Sequence, residues 1–212
     1  MGVPTQEDLV RAVTAAGVRD PRVLQAFRQV PRAAFVPPDL AAEAYRDRPL
    51  PIPHGQVTTQ PSLSARMIAA LGLSGAEQML EIGTGYGFQT ALLAYLSRFV
   101  RSVERWPDLA DTARANLDRR DVANVEVVVG DGTAGLPAHA PFDAILVSAA
   151  FPQVPPPLVE QLAAGGRLVQ PIGSGGDEEV TLFERRPHGL ARRDTVSLAH
   201  FVRLYGRHGF PG

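Results

Sequence analysis

The sequence predicts a doubly wound α/β fold built on one mostly parallel sheet. Three observations predict it. Strand-like apolar runs alternate regularly with segments of helical apolar period; the first run empties into glycines at alternate positions, Gly83-Thr84-Gly85-Tyr86-Gly87; and successive runs end at Gly83, Glu104 and Gly130, beside carboxylates or glycine turns. Ligands of open α/β sheets bind outside the carboxyl ends of the strands, so these turns mark the expected site.

Taken in order, Thr5-Gln6-Glu7-Asp8 starts a helix in capping-box style, with Leu9, Val10 and Val13 as its stripe and Gly17 as its stop. Asp20-Pro21 caps a second helix carrying Val23, Leu24 and Phe27. These helices form either a lid over the sheet or plain edge packing. Residues 30–38 and 45–53 are too rich in proline for regular structure, and their interleaved Phe35, Val36, Tyr45, Leu50 and Ile52 favour a packed loop. A polar stretch, His54 to Pro61, precedes a helix from Ser62 to Leu71, with Thr59 or Gln60 at its N-cap. Helices at Phe88 to Leu96 and Pro107 to Arg119 separate the first three strands. A fourth strand at Phe142 to Ser148 leads to a helix at Pro156 to Leu162 and a fifth strand at Gly166 to Ile172. Val180 to Glu184 and Ser197 to Leu204 close the sheet at seven strands, with an antiparallel pairing because no helix separates them. Residues 1–60 are read as helices and a proline-rich loop packed on a core formed by residues 61–212.

Composition removes whole classes of function. All 21 basic residues are Arg, which excludes a P-loop lysine and a Schiff-base lysine. No cysteine is present, hence no disulfide, thiolate nucleophile or iron–sulfur site. The 5 histidines are scattered without metal-ligand spacing, so no metal is expected. A net charge of -1 without a dense basic run speaks against nucleic acid as a partner. No apolar run reaches the ~20 residues of a membrane span, and Met1-Gly2-Val3-Pro4 lacks leader features. The expectation is a cytoplasmic protein with no membrane partner.

The glycine turn points to an adenosine-bearing cofactor, since glycines allow close backbone approach and the helix that follows offers free N–H groups. Its spacing departs from the dinucleotide fingerprint, and Glu81 precedes it. An acid there suits a positively charged cofactor and repels a pyrophosphate. Glu104, about 20 residues on, is the candidate ribose ligand; the alternative is a solvated charge paired with Arg105. Asp131 and Gly132 are candidates for an adenine edge, or else a simple turn.

With these residues laid out, the chain resembles the protein-L-isoaspartate O-methyltransferase family from end to end. The matching blocks are Val30-Pro31-Arg32 with Phe35-Val36-Pro37, Ala44-Tyr45 through Ile52, Gly55-Gln56 through Pro61, the Leu80 to Gln89 turn, Ser102-Val103-Glu104, Gly130-Asp131-Gly132, Pro141-Phe142-Asp143, Ala149-Ala150, Gly165 to Val169, and Phe201-Val202 with Leu204 and Gly206. The resemblance implies a Rossmann-like methyltransferase sheet, S-adenosyl-L-methionine as cofactor, and methyl transfer to the free α-carboxylate of isoaspartyl residues in damaged proteins or peptides. The ester then closes to a succinimide, which begins repair. A dedicated peptide or a small molecule is the alternative acceptor. By the same resemblance Gly83, Thr84 and Gly85 line the methionine end of the cofactor, with Glu81 and Gln89 in the same group; Glu104 holds the ribose, and Asp131 with Gly132 reads the adenine. Thr59 is the active-site hydroxyl, usually serine in the family, and His54, Val57, Thr58, Ala149 and Ala150 lie on the acceptor side. Tyr86 and Arg203 depart from the family's serine and proline. A monomer is expected.

Overall fold

Thr5 and Asp8 close the expected capping box: the Asp8 amide donates to the Thr5 hydroxyl (3.3 Å) and the Thr5 amide to the Asp8 carboxylate (2.8 Å), starting α1 (Gln6–Ala15). The computed structural model describes residues 4–211, so Met1 to Val3, read above as lacking leader features, lie outside the described residues. Asp20 caps α2 (Pro21–Gln29), its carboxylate accepting from the Arg22 amide at 2.8 Å.

The proline-rich stretch is more regular than expected. It holds two short 3₁₀ helices, Arg32–Phe35 and Pro38–Glu43, and then a hairpin of β1 (Pro51–Ile52) with β2 (Gln56–Val57). Prolines preclude long ladders but suit single turns, where few amides need partners. A buried cation binds the segment together. Arg32, only 1% exposed, donates to the carbonyls of Ala44 (3.1 Å), Arg46 (3.0 Å) and Arg48 (3.1 Å) and to the Thr58 hydroxyl (2.9 Å). Burial lowers its pKa to about 10, which leaves it charged at neutral pH.

The remaining elements alternate: α3 (Pro61–Leu71), β3 (Gln78–Ile82), α4 (Phe88–Leu96), β4 (Phe99–Glu104), α5 (Pro107–Asp118), β5 (Val125–Val129), β6 (Phe142–Val147), α6 (Pro156–Gln161), β7 (Leu162–Ile172), β8 (Glu178–Arg186) and β9 (Gly189–Ala199). They form a seven-stranded sheet in the order β5-β4-β3-β6-β7-β8-β9. Pairings from β5 through β7 are parallel; β7 with β8 and β8 with β9 are antiparallel. The winding reverses beside β3, which opens a crevice at the carboxyl ends of β3, β4 and β6.

The last strand corrects the sequence reading: it runs Gly189–Ala199, while residues 201–204 run past Ala150 with a single bridge at Arg203. Arg192, Arg193 and Asp194 hide the strand pattern because they sit on an exposed edge, where pairing needs no apolar face.

Leu9, Val10, Val13 and Phe27 share one buried cluster with Met67, Ile68, Leu92, Leu93 and Val100. Each such side chain fully removed from water contributes about 1.5–3 kcal/mol. No residue of α1 or α2 lines the main cleft, so these helices pack at the edge and are not a lid.

Candidate active site

The cleft at the reversal point encloses about 950 Å³ of space open to solvent and is lined from both sides by the predicted blocks. On one side lies the glycine turn. Gly83 (φ +97°) donates its N–H to the Val103 carbonyl (2.9 Å), and Gly85 (φ +56°) donates to a Glu104 carboxylate oxygen (2.9 Å). The other Glu104 oxygen accepts from the Trp106 amide (3.1 Å). Glu104 is 5% exposed and lines the cleft with each oxygen retaining an acceptor site, as a ribose diol needs. The alternative ion pair with Arg105 is not formed; that guanidinium lies over the rings of Trp106 (4.9 Å) and Tyr205 (5.2 Å).

Glu81 does not line the cleft. Fully buried, it accepts from Gln89 Nε2 (3.0 Å), Thr90 Oγ1 (2.5 Å) and Ser102 Oγ (2.6 Å) beneath the turn. Burial pushes its carboxyl up to about 7 despite those three donors. Its connection to the cleft runs through Gln89, whose amide also donates to Ser148 Oγ (2.8 Å) and accepts from Ser64 Oγ (2.9 Å). A second path runs through Thr84. Ser102 donates its one hydroxyl proton to Glu81, so Thr84, 2.6 Å away, donates to Ser102.

Asp131 is also turned aside. Its carboxylate accepts from the Thr133 amide (2.9 Å) and hydroxyl (2.6 Å) and from the Arg207 amide (2.8 Å), tying down the C-terminal segment. Partial burial raises its pKa, but these hydrogen bonds outweigh that and hold it below the usual carboxylate range. Gly132 forms the wall instead, and a Cβ there would stand 2.4 Å from Ile82 Cγ2, too close for any other residue.

Across the cleft stands the hairpin. The Thr58 hydroxyl accepts from Arg32 and from the Leu50 amide (3.0 Å), so it points into the protein. Thr59 lines the cleft, and its hydroxyl has no hydrogen-bond partner among the described residues. The cap reading does not hold for Thr59. Gln60 occupies the N-cap without a side-chain bond, and Asp47 caps α3 from a distance by accepting from the Ser62 amide (2.8 Å). Val57, 46% exposed, lies beside Thr59 on the lining.

Ala149 completes the far wall, whereas Ala150 is buried and serves through its backbone, donating to the Val202 carbonyl and accepting from the Leu204 amide, both at 2.8 Å. His54 is a prop and not a lining residue. Held at φ +62°, it stacks on Trp106 (3.9 Å, 7°) with Nε2 2.9 Å from both Asp108 oxygens, and that hydrogen bond holds Asp108 below its usual range.

Sequence reasoning missed Trp106, Arg105 and Tyr205 as lining residues, and Arg203 entered it only as a departure from the family's proline. The one signal was a lone tryptophan two residues after the strand-end acid. Buried Trp106 Nε1 has no hydrogen-bond partner among the described residues. A nearly buried carboxylate without a cation, a wall only glycine can form, and an apolar slot at Val103, Trp106 and Leu109 fit a nucleoside, with the carboxylate free to accept from its ribose hydroxyls.

The family model for protein-L-isoaspartate(D-aspartate) O-methyltransferase matches residues 4–209. A protein-L-isoaspartate O-methyltransferase of Methanoculleus marisnigri is 48% identical over 210 residues, spanning 98% of this chain and 94% of that protein. One of Anaeromyxobacter dehalogenans is 53% identical over 190 residues, 89% of this chain and 91% of its own. Among solved structures, a protein-L-isoaspartate O-methyltransferase superposes with TM-score 0.86 at 28% identity, over 97% of this chain and 67% of that one. A putative one from Plasmodium falciparum, in complex with S-adenosyl-L-homocysteine, shares the fold with TM-score 0.80 at 22% identity, over 94% and 98% of the two chains.

Proposed function

The chain belongs to the protein-L-isoaspartate(D-aspartate) O-methyltransferase family, S-adenosylmethionine-dependent protein carboxyl methyltransferases, and from that premise we propose that Thr59 orients the acceptor while Glu104 and the Gly83 to Gly85 turn hold the donor. The reaction places a methyl group on the free α-carboxylate of an L-isoaspartyl residue, and the ester then closes to a succinimide. When bound, S-adenosylmethionine supplies a methyl group on a positively charged sulfur, a reactive electrophile.

The residues of the chain have chiefly to position. An α-carboxyl has a pKa of about 3.3–3.7, so the acceptor arrives ionised and needs no general base. The Thr59 hydroxyl donates one hydrogen bond to one carboxylate oxygen and leaves the other free to attack. Alignment of this kind supplies up to roughly 7–11 kcal/mol of a barrier. Glu104 accepts from the ribose hydroxyls, and Gly132 backs the adenine. Glu81 acts at one remove, fixing Gln89 and Thr84 in the cleft wall. Val57, Thr58 and Ala149 frame the acceptor. The observation that carries this reading is the Thr59 hydroxyl, unpaired among the described residues in the cleft that Glu104 also lines, beside a Thr58 hydroxyl oxygen that already accepts from Arg32 and Leu50.

Labelled methyl transfer to matched isoaspartyl and aspartyl peptides tests it. Label should enter the isoaspartyl peptide alone. Equal labelling of both, or transfer only to small molecules, overturns the acceptor assignment. Among the described residues no helix is long and apolar enough to cross a membrane. Action as a cytoplasmic monomer is part of the same proposal; the absence of cysteine is compatible with the cytosol, and a dimer in sedimentation would overturn the oligomeric part.

A further inference from the structure

Two exposed arginines line the cleft, Arg105 and Arg203, and among the described residues neither forms an ion pair. They rest on different aromatic rings. Arg105 lies over Trp106 and Tyr205, next to Glu104 on the donor side. Arg203 sits between Val202 and Leu204, whose backbones are locked to Ala150 by bonds of 2.8 Å. Its guanidinium rests on the Phe210 ring (5.1 Å), and that ring is braced edge-on by Phe151 (5.1 Å, 90°). It reaches over the glycine loop at Gly175, with Nη2 3.5 Å from where a Cβ would stand. Asp177, on the same loop, makes no ion pair with it among the described residues.

A guanidinium fixed on an aromatic platform, beside the Ala149–Ala150 wall, without an internal carboxylate, is placed to meet charge on the incoming chain. The methyl-accepting carboxylate is not that charge, because an ion pair would draw electron density from the oxygen that must attack. We propose that Arg203 reads a second carboxylate on the acceptor, so that the preferred substrates are isoaspartyl peptides with an acidic side chain flanking the damaged residue. This rests on the isoaspartyl reading above and names the substrate class within it.

The test is steady-state methylation of an isoaspartyl peptide series carrying Ala, Glu or Lys immediately before or after the isoaspartate. The wild type should show a KM about two- to five-fold lower for a Glu-flanked than for the Ala-flanked peptide, with kcat little changed, as befits an exposed charge pair. The preference should vanish in Arg203→Gln, persist in Arg203→Lys and invert toward Lys-flanked peptide in Arg203→Glu. It should shrink in about 0.5 M salt. Arg185→Gln, which removes one positive charge from β8 outside the cleft lining, should keep it. A wild type indifferent to the flanking charge, or an Arg203→Gln enzyme that retains the preference, overturns this inference alone. Failure to methylate even the Ala-flanked isoaspartyl peptide overturns the assigned reaction together with it.

Discussion

The two walls of the cleft are built on opposite principles. On the donor wall Thr84, Gln89 and Glu104 are each at most 8% exposed, and each of these three side chains is held by named partners. On the acceptor wall Val57 and Arg203 are exposed, and the Thr59 hydroxyl is unbonded among the described residues. Buried polar groups tolerate few geometries, because an unmet hydrogen bond costs about 1–3 kcal/mol. A wall made of them suits one unvarying ligand. Damaged peptides vary in everything except the isoaspartate, and an open wall with one free hydroxyl suits them. Thr58 and Thr59 show the difference at adjacent residues: one hydroxyl fastens the loop to buried Arg32, the other stands at the cleft without a hydrogen-bond partner among the described residues.

The largest test of this contrast addresses Glu81, the buried group behind the donor wall. Its carboxyl titrates at about 7 in the fold against an ordinary 4.5. Between those values the folded protein keeps a proton that the unfolded chain has released, so stability falls as pH rises from about 4.5 through about 7. The loss amounts to about 3 kcal/mol. Glu81→Gln, which mimics the protonated group, should flatten this dependence in urea titrations across that range. A variant whose pH dependence matches the wild type would place the titration elsewhere and undo the picture of a sealed donor floor.

Next in size, Thr59→Val should lower kcat/KM for an isoaspartyl peptide about a hundred-fold, through loss of a hydrogen bond to a charged group and of the alignment it gives. Donor affinity, measured by calorimetry, should stay unchanged, and Thr59→Ser should retain most activity. A valine enzyme with normal turnover would remove the hydroxyl from the mechanism. Smaller again, Glu104→Ala should raise the donor Kd about ten- to thirty-fold, the scale of charge-assisted hydrogen bonds, while the KM of the peptide stays near its original value. An unaltered Kd would take Glu104 off the ribose, and a matched change in both constants would erase the division between the walls.

Much of this was legible in the chain. The Thr5 capping box, the Asp20-Pro21 start and the helix at Phe88 to Leu96 stand where local pattern put them, since caps and apolar period act within a few residues. The closing strand was misplaced because Val202 and Leu204 are apolar for another reason: they wall the cleft and bond Ala150 through their backbones, while Phe201 packs in the core. The capping role offered to Thr59 goes to Asp47, which lies far back in the sequence.

The sequence by itself determined the alternation of strands and helices, the glycine turn at the end of β3 and the family to which these blocks belong. Spacing along a chain sets those features. Only the tertiary structure decided which acids line the cleft. Glu81, Glu104 and Asp131 all stand at strand ends in the sequence, yet one is sealed under the turn, one faces the cleft and one holds the C-terminal segment. A carboxylate's role follows from the donors and solvent around it, and those neighbours come from elements that meet only in the folded chain.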